Sequence, residues 1–169
     1  TTMIRLETLS WAPRFNDDVW ARVVSFLGTE ILEVGMGIGL FTEKLLTRGR
    51  VFGVDIVPEF VAEARRRLGA RKGLESCVAD IGAGLPDSLR GRSFDTIVCM
   101  NVIEHIADDR GILSRFLGLL KPGGRLVLVA PAHRWLFNPL DAHDGHFRRY
   151  GKAELRTRME EAGFRVTHE

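Results

Sequence analysis

The sequence has few cysteines and no long apolar run. Its two cysteines, Cys77 and Cys99, fall within predicted buried strands, so we expect small core residues rather than a disulfide or a metal pair. No apolar stretch approaches the roughly 20 residues that span a bilayer, and the first residues lack the apolar segment of a secretory signal. These features predict a cytoplasmic protein without stable membrane insertion.

An excess of charge of one sign is also missing. The net charge is +2 over 169 residues, which is too small to indicate a nucleic-acid partner. The sharpest basic cluster, Arg65–Arg67 with Arg71 and Lys72, lies where a predicted helix ends, and cations there complement the helix dipole. We therefore expect no nucleic acid. With 45% apolar residues, the chain suits a single domain over residues 1–169 with its own core.

Predicted strands and helices alternate along the chain. Apolar residues recur at helical spacing in 58–69 and 109–120, and the runs between such helices are short and apolar. Strands separated by helices pair in parallel, which predicts a doubly wound, mainly parallel Rossmann-like α/β sheet with helices on both faces. The predicted strands cover residues 31–34, 50–55, 74–79, 94–100 and 126–129.

A glycine-rich turn follows the first predicted strand. Glycine accepts the positive φ of a tight strand-to-helix turn and lets a ligand approach the backbone, so this turn predicts a ligand loop. A dinucleotide fingerprint, G-x-G-x-x-G, would need its third glycine at Leu40 and therefore fails at one point. The pattern E-x-G-x-G-x-G is matched in full by Glu33, Gly35, Gly37 and Gly39.

Carboxylates end the next two predicted strands. Asp55 follows Gly35 by twenty residues, where a parallel βαβ unit brings it beside the glycine loop. An acid at this point accepts hydrogen bonds from both hydroxyls of a ribose. The third strand ends in Asp80 and Ile81, a polar and an apolar residue suited to holding an adenine. The fourth, 94–100, runs into Asn101 and Val102.

In the order and spacing of these motifs the chain resembles the class I methyltransferases that use S-adenosylmethionine. The resemblance covers nearly the whole chain and implies S-adenosylmethionine as cofactor and S-adenosylhomocysteine as product. It places the methionine part at the glycine loop, the ribose at Asp55, the adenine at Asp80 and Ile81, and the sulfonium above Asn101. The implied cofactor residues are Glu33, Gly35, Met36, Gly37, Gly39, Asp55, Ile56, Asp80, Ile81, Asn101 and Val102.

The segment 131–151 resembles the acceptor loop of small-molecule methyltransferases of quinone and lipid biosynthesis. A hydroxyl acceptor is methylated faster when a general base takes its proton, and we predict His133 for that role, with His105 as the second catalytic candidate. Two guanidinium groups in the same segment are suited to an acidic acceptor. The predicted acceptor-binding residues are His146, Arg148, Arg149 and Tyr150.

Metal-binding residue types also crowd into this segment. Imidazoles and carboxylates suit zinc or non-haem iron, and Asp141, His143, Asp144 and His146 lie close together in the sequence. No helical i, i+4 pair sets their geometry, so we predict no metal.

Both ends of the chain carry further expectations. Residues 1–28 are predicted to form a lid region over the cofactor, with Trp11, Phe15 and Asn16 as candidate lid residues and Asn16 capping the helix. At the other end, a helix over 152–162 leads into a strand at 164–169, where the resembled fold requires one more strand. We therefore expect a C-terminally truncated sheet, and its unpaired edge predicts a homodimer.

Two other functions remain open from the sequence. One is a Rossmann enzyme that uses NAD or a nucleotide sugar, against which Leu40 and Asp80 count. The other is a cofactor-binding module without catalysis. The favoured prediction is methyl transfer to oxygen, nitrogen or carbon of a small molecule.

Overall fold

The computed structural model describes residues 13–69 and 71–169. Its centre is a five-stranded sheet in the order β3-β2-β1-β4-β5, with every neighbouring pair parallel. This confirms the predicted doubly wound fold. The strands are β1 Glu30–Val34, β2 Arg50–Asp55, β3 Leu74–Val78, β4 Phe94–Met100 and β5 Leu120–Val129.

Helices cover both faces of the sheet, because the central strands are apolar on both sides. In β1, Leu32 packs into one core with Phe116, while its neighbour Ile31 packs into a second core with Leu45. Helices α4 and α6 cover the first core, and α1 and α2 cover the second. The helices are α1 Pro13–Val23, α2 Leu40–Leu45, α3 Pro58–Leu68, α4 Asp109–Leu119, α5 Pro139–His143 and α6 Lys152–Glu161.

Three predicted boundaries were wrong. Helix α1 spans Pro13–Val23 of the described residues, so the predicted cap Asn16 lies within the helix. Strand β5 begins at Leu120, several residues earlier than predicted, and its pairing with β4 is irregular between Phe94 and Thr96. Residues 164–169 form no strand, because a strand needs a neighbour to share its hydrogen bonds and none of the described residues pairs with the outer edge of β5.

The predicted lid region is only partly within the described residues. Trp11 lies outside them, and so do the side chains of Phe15 and Asn16. In the described part of α1, the Trp20 ring packs edge-on against Phe41 of α2, with centroids 5.9 Å apart. Helix α1 thus packs on the helix that follows the glycine loop. In the part of the chain that the structure covers, no helix has both the length and the apolar composition needed to cross a membrane.

Candidate functional site

The candidate site lies at the carboxyl ends of the strands, where the sheet order reverses. The chain moves outward from β1 to β2 and β3, and then returns to the other side of β1 to form β4 and β5. In open α/β sheets, the loops at such a reversal diverge and leave a crevice for a ligand. The loops that follow β1, β2 and β4 contain most of the predicted cofactor residues.

The glycine loop turns sharply between β1 and α2. Gly35, Gly37 and Gly39 have φ of 78°, 52° and 82°, all in the left-handed region that favours glycine. The backbone N–H groups of Gly35 and Met36 both donate to Val54 O, at 2.8 and 3.2 Å, and so fasten the loop to β2. A Cβ added at Gly35 would lie 2.2 Å from Val102 Cγ2, so this glycine permits the β1 and β4 loops to touch.

We expect Gly35→Ala to lower the free energy of unfolding by at least about 2 kcal/mol. The left-handed conformation alone costs a non-glycine residue roughly 1–2 kcal/mol, and the clash with Val102 adds to that cost. Gly118→Ala is the matched control, because Gly118 lies within α4 with no atom near the added Cβ and no positive φ. Urea denaturation should show the control at or slightly above wild-type stability. Equal stability of both variants would contradict the assignment of strain to Gly35.

Asp55 connects the end of β2 to the glycine loop. Its Oδ2 accepts a hydrogen bond from Gly37 N at 2.8 Å, and its Oδ1 accepts one from Val57 N at 3.0 Å. The residue is buried. An ionised carboxylate has about four acceptor positions, so two of them remain for a bound diol.

Glu33 is buried beneath the same loop. Its Oε2 accepts a hydrogen bond from Thr42 Oγ1 at 2.6 Å. Burial raises the pKa of Glu33 to about 8, and the neighbouring Asp55 carboxylate contributes in the same direction. Glu33 is therefore largely neutral at pH 7 and can donate as well as accept a hydrogen bond.

The other predicted cofactor residues of this region differ in exposure. Asp80 is exposed and accepts hydrogen bonds from Gly82 N and Ala83 N, while Ile81 packs into the larger core. Ile56 is exposed. Met36 is buried against α3, and its sulfur fills the space above the α-carbon of Gly53. Met36 therefore belongs to the wall behind the loop.

Strained backbone marks the ends of β4 and β5. Among the described non-glycine residues, Asn101 and His133 have positive φ, of 52° and 64°. Such conformations cost energy and cluster at functional sites. Sequence patterns predicted both residues as site residues but not their conformation. Asn101 N donates to Val129 O at 2.8 Å, which joins the two strand ends.

The segment 131–151 is highly exposed over its first half. His133 is exposed, and its ring lies 5.9 Å from that of Trp135, which is 79% exposed. The segment then forms α5 and returns to the sheet, where Tyr150 makes a parallel bridge with Ala132. Its exposed apolar side chains are Trp135, Leu136, Phe137, Leu140 and Phe147.

The charged groups at the end of this segment bind other protein groups. Arg149 makes a two-pronged ion pair with Asp141. Arg148 Nη1 lies 2.8 Å from Oδ2 of the buried Asp109. Tyr150 Oη donates to the same oxygen at 3.0 Å, and burial raises the pKa of this phenol above its ordinary value. The end of the segment 131–151 is thus held in place by Arg148, Arg149 and Tyr150.

Asp109 is the hub that the sequence analysis missed. Besides Arg148 and Tyr150, it accepts from Arg158 of α6, with Nη1 at 2.7 Å from both carboxylate oxygens. One acid in the first turn of α4 therefore ties the segment 145–151 and α6 to the start of α4. An aspartate near a helix start is ordinarily a capping or dipole residue, so the sequence carried no separate signal for this role.

Asp109→Asn is expected to lower the free energy of unfolding by about 2 kcal/mol. Removing one partner of a buried ion pair costs roughly 3–5 kcal/mol, and we reduce that figure because Arg148 and Arg158 keep about a fifth of their side chains exposed. Asp87→Asn is the control, since that side chain is 90% exposed. Chemical denaturation measures the free energy of unfolding of both variants. An Asp109 variant as stable as the Asp87 variant would show that the contacts of Asp109 do not stabilise the fold.

Glu104, His105 and His146 form a second cluster behind the end of β4. The rings of His105 and His146 meet edge to face, with centroids 4.6 Å apart. Burial raises the pKa of Glu104 to about 7, and partial desolvation of the ring together with the nearby His146 lowers the pKa of His105. One carboxylate oxygen and one nitrogen from each ring lie within 4.8 Å of one another, so these three residues are able to hold a metal ion. The structure therefore brings His146 next to Glu104 and His105.

Comparison with known proteins identifies the family. The family described as "Methyltransferase domain" matches residues 32–126, which is more than half of the chain. The match runs from β1 to β5 and includes the glycine loop, Asp55 and the end of β4. The chain therefore belongs to the methyltransferase domain family, and the predicted resemblance to the class I methyltransferases is confirmed.

Individual relatives support the same conclusion. The chain is 36% identical over 117 residues to the ubiquinone biosynthesis O-methyltransferase of Xylella fastidiosa (strain M23), covering 66% of this chain and 45% of the relative. It is 38% identical over 117 residues to the enzyme of that name from Xanthomonas oryzae pv. oryzae (strain PXO99A), covering 66% and 46%. The chain thus spans about half the length of these curated relatives.

Solved structures share the fold. A putative methyltransferase in complex with the Haloferax volcanii Trm112 methyltransferase activator aligns with a TM-score of 0.77 at 25% identity, covering 92% of this chain and 73% of that one. Magnesium protoporphyrin IX methyltransferase from Synechocystis PCC 6803 with bound SAM aligns with a TM-score of 0.69 at 21% identity, covering 92% and 70%.

Proposed function

We propose that this chain binds S-adenosylmethionine and transfers its methyl group to a small-molecule acceptor, with S-adenosylhomocysteine as the product. The observation that carries the proposal is the hydrogen bond between Asp55 and Gly37 at the point where the sheet order reverses. It joins a carboxylate suited to a ribose diol to a glycine loop suited to close backbone approach. Membership of the methyltransferase family supports this cofactor over NAD.

The residues present fit this cofactor. Asp55 keeps two acceptor positions for the ribose hydroxyls. The left-handed glycines have no side chains, so the backbone of the loop stays open where the methionine part would lie. Asp80 is exposed at the end of β3, where it would contact the adenine. The remaining proposed contacts come from Glu33, Gly35, Gly39, Ile56, Ile81, Asn101 and Val102, and Met36 supports the loop from behind.

The cofactor supplies a methyl group that is already activated by its positive sulfur, so the protein chiefly has to position the acceptor. Holding an acceptor in line with the breaking bond contributes roughly 7–11 kcal/mol to lowering a barrier. We propose His133 as the acceptor-side base, because it is exposed in the segment after β5, and β5 pairs with β4, which leads into the strained Asn101. His105 is the second candidate. A base is needed for a hydroxyl acceptor.

We propose a small molecule rather than a nucleic acid as the acceptor. The relatives at 36–38% identity are named for ubiquinone biosynthesis, and the exposed apolar side chains of 131–151 suit a partly apolar compound. The basic cluster at the end of α3 is engaged within the protein: Arg65 donates to Ser76, Arg66 pairs with Glu63, and Arg71 with Glu43. These contacts engage three of the five cations of the cluster with groups of the protein itself.

Isothermal titration tests the cofactor, with S-adenosylmethionine, S-adenosylhomocysteine and NAD as separate titrants. We expect micromolar binding of the first two and none of NAD. Acceptors are then screened among hydroxylated quinone precursors and lipids by following S-adenosylhomocysteine release. Binding of NAD alone would overturn the proposal. Cofactor binding without turnover on any acceptor would favour a non-catalytic binding module.

We also propose that the protein forms a homodimer through the outer edge of β5. Within residues 13–69 and 71–169 no strand covers that edge, and an unpaired edge offers a row of hydrogen-bonding groups to another chain. Light scattering at rising concentration tests the proposal. A mass that remains that of one chain would refute it.

We propose the cytoplasm as the site of action. The two cysteines are free, and Cys99 is fully buried in β4. Thiols persist unpaired in a reducing compartment. Fractionation of cells that express the tagged protein tests this assignment, and recovery from a secreted or membrane fraction would contradict it.

A further inference from the structure

The buried polar atoms without hydrogen bonds converge in one place. Among the side chains that the structure describes, the buried nitrogen or oxygen atoms without a partner are Glu104 Oε2 and His146 Nδ1. Glu104 is 1% exposed. Burial strips water from such atoms, and native proteins rarely leave the loss uncompensated. The unpartnered Glu104 Oε2 therefore points to a ligand bound in this cluster, and the unpartnered His146 Nδ1 points to a hydrogen bond that is completed when the ligand binds.

The geometry of the cluster suits a metal ion. Glu104 and His105 lie in the short helical turn Ile103–His105 after β4, and His146 comes from the loop after α5. One ligand atom from each lies within 4.8 Å of the other two, and the two rings stand at 88° to each other. Phe147 N donates to Glu104 O at 2.8 Å, which fixes the two segments together.

A second carboxylate stands behind one of these histidines. Asp141 Oδ1 lies 3.2 Å from His146 Nδ1, at ion-pair distance but without hydrogen-bond geometry. Asp141 is itself held by Arg149 and by Asn138 N. A carboxylate that orients the far nitrogen of a ligating imidazole is the usual second layer of a metal site. Completing the hydrogen bond to Nδ1 leaves Nε2 free to bind an ion.

We propose that Glu104, His105 and His146 bind a divalent first-row transition ion, such as Zn²⁺, with Asp141 orienting His146. Two imidazoles and one carboxylate are ligands that such ions accept, and a further position stays open for water or an oxygen of a bound molecule. The proposal does not depend on the cofactor. It departs from the sequence prediction of no metal, because that prediction grouped His146 with its sequence neighbours and left out Glu104. In the proposed metal site His105 is a metal ligand, and His133 remains the proposed general base.

Zn²⁺ titration of the full chain against a chromophoric chelator tests the site, and the visible absorption of bound Co²⁺ reports its geometry. We expect one equivalent of Zn²⁺ to bind, and His105→Ala and His146→Ala each to weaken binding about tenfold or more. His143→Ala is the matched control, because His143 is exposed in the same segment and outside the cluster. Its affinity should equal that of the wild type.

Two outcomes would overturn the proposal: no binding above that of the double variant His105→Ala/His146→Ala, or an equal loss in His143→Ala. His105 is exposed, so its variant keeps the test valid if His146→Ala fails to fold, which circular dichroism would reveal. Titration of the same samples with S-adenosylhomocysteine separates this proposal from the proposed cofactor site. Loss of metal with cofactor binding intact is the expected pattern.

Discussion

Asp55→Asn is expected to weaken S-adenosylhomocysteine binding by about 100-fold. Asparagine has a single acceptor oxygen, so it cannot serve Gly37 N, Val57 N and both ribose hydroxyls as the carboxylate would. Hydrogen bonds to a charged group are worth about 1.5–3 kcal/mol each. A loss of about 3 kcal/mol corresponds to a factor of about 100 in the dissociation constant. Isothermal titration measures it directly.

The control for this experiment is Asp87→Asn, an exposed aspartate in the short helix before β4. It should leave the affinity unchanged. Because Asp55 also holds the glycine loop, thermal unfolding of both variants must show that the Asp55 protein remains folded at the temperature of the titration. An affinity within threefold of the wild type, in a folded Asp55→Asn protein, would remove Asp55 from the proposed cofactor site.

Glu33→Gln is expected to change how stability depends on pH. The pKa of Glu33 is raised from 4.5 to about 8, first by burial. The native state therefore keeps a proton that the unfolded chain has already released, and stability falls as pH rises from about 4.5 to about 8. At about 1.36 kcal/mol per pKa unit, the full loss is about 5 kcal/mol. Glutamine cannot ionise and avoids the loss.

The difference between the two proteins is the quantity to measure. Urea denaturation at pH 5 should give wild type and Glu33→Gln similar stabilities, whereas above pH 8 the variant should be more stable by several kcal/mol. Glu160→Gln, at an exposed glutamate of α6, is the control and should follow the wild type at every pH. A Glu33→Gln curve parallel to that of the wild type would show that Glu33 is ionised in the folded protein.

The sequence predicted the sheet well because its strands leave a strong local pattern. Strand β4 is apolar at five of its seven positions, as expected for a strand covered on both faces, and helix α3 has proline at its start. The glycine loop was predictable for a similar reason, since a left-handed turn accepts few residues other than glycine. The end of the sheet was not predictable, because whether 164–169 forms a strand depends on a neighbour that no local pattern specifies.

The contacts of the segment 131–151, in contrast, could not be predicted from a local pattern. Arg148 and Tyr150 were predicted to face an acceptor, whereas the structure joins both to Asp109, about forty positions earlier in the chain. The cluster of Glu104, His105 and His146 likewise joins two segments far apart in sequence. Charged residues in polar loops have many possible partners, and only their positions in space select among them.

The amino-acid order alone thus determined the parallel α/β fold, the glycine loop and the acids at the strand ends, because each follows from short-range sterics and from apolar periodicity. Tertiary structure alone decided that Glu33 is buried enough to hold a proton near pH 7, that Asp109 collects two arginines and a tyrosine, and that Glu104 lies unpaired beside two histidines. Burial and long-range charge pairing depend on distances between segments, which the chain acquires only when the sheet and its helices pack together.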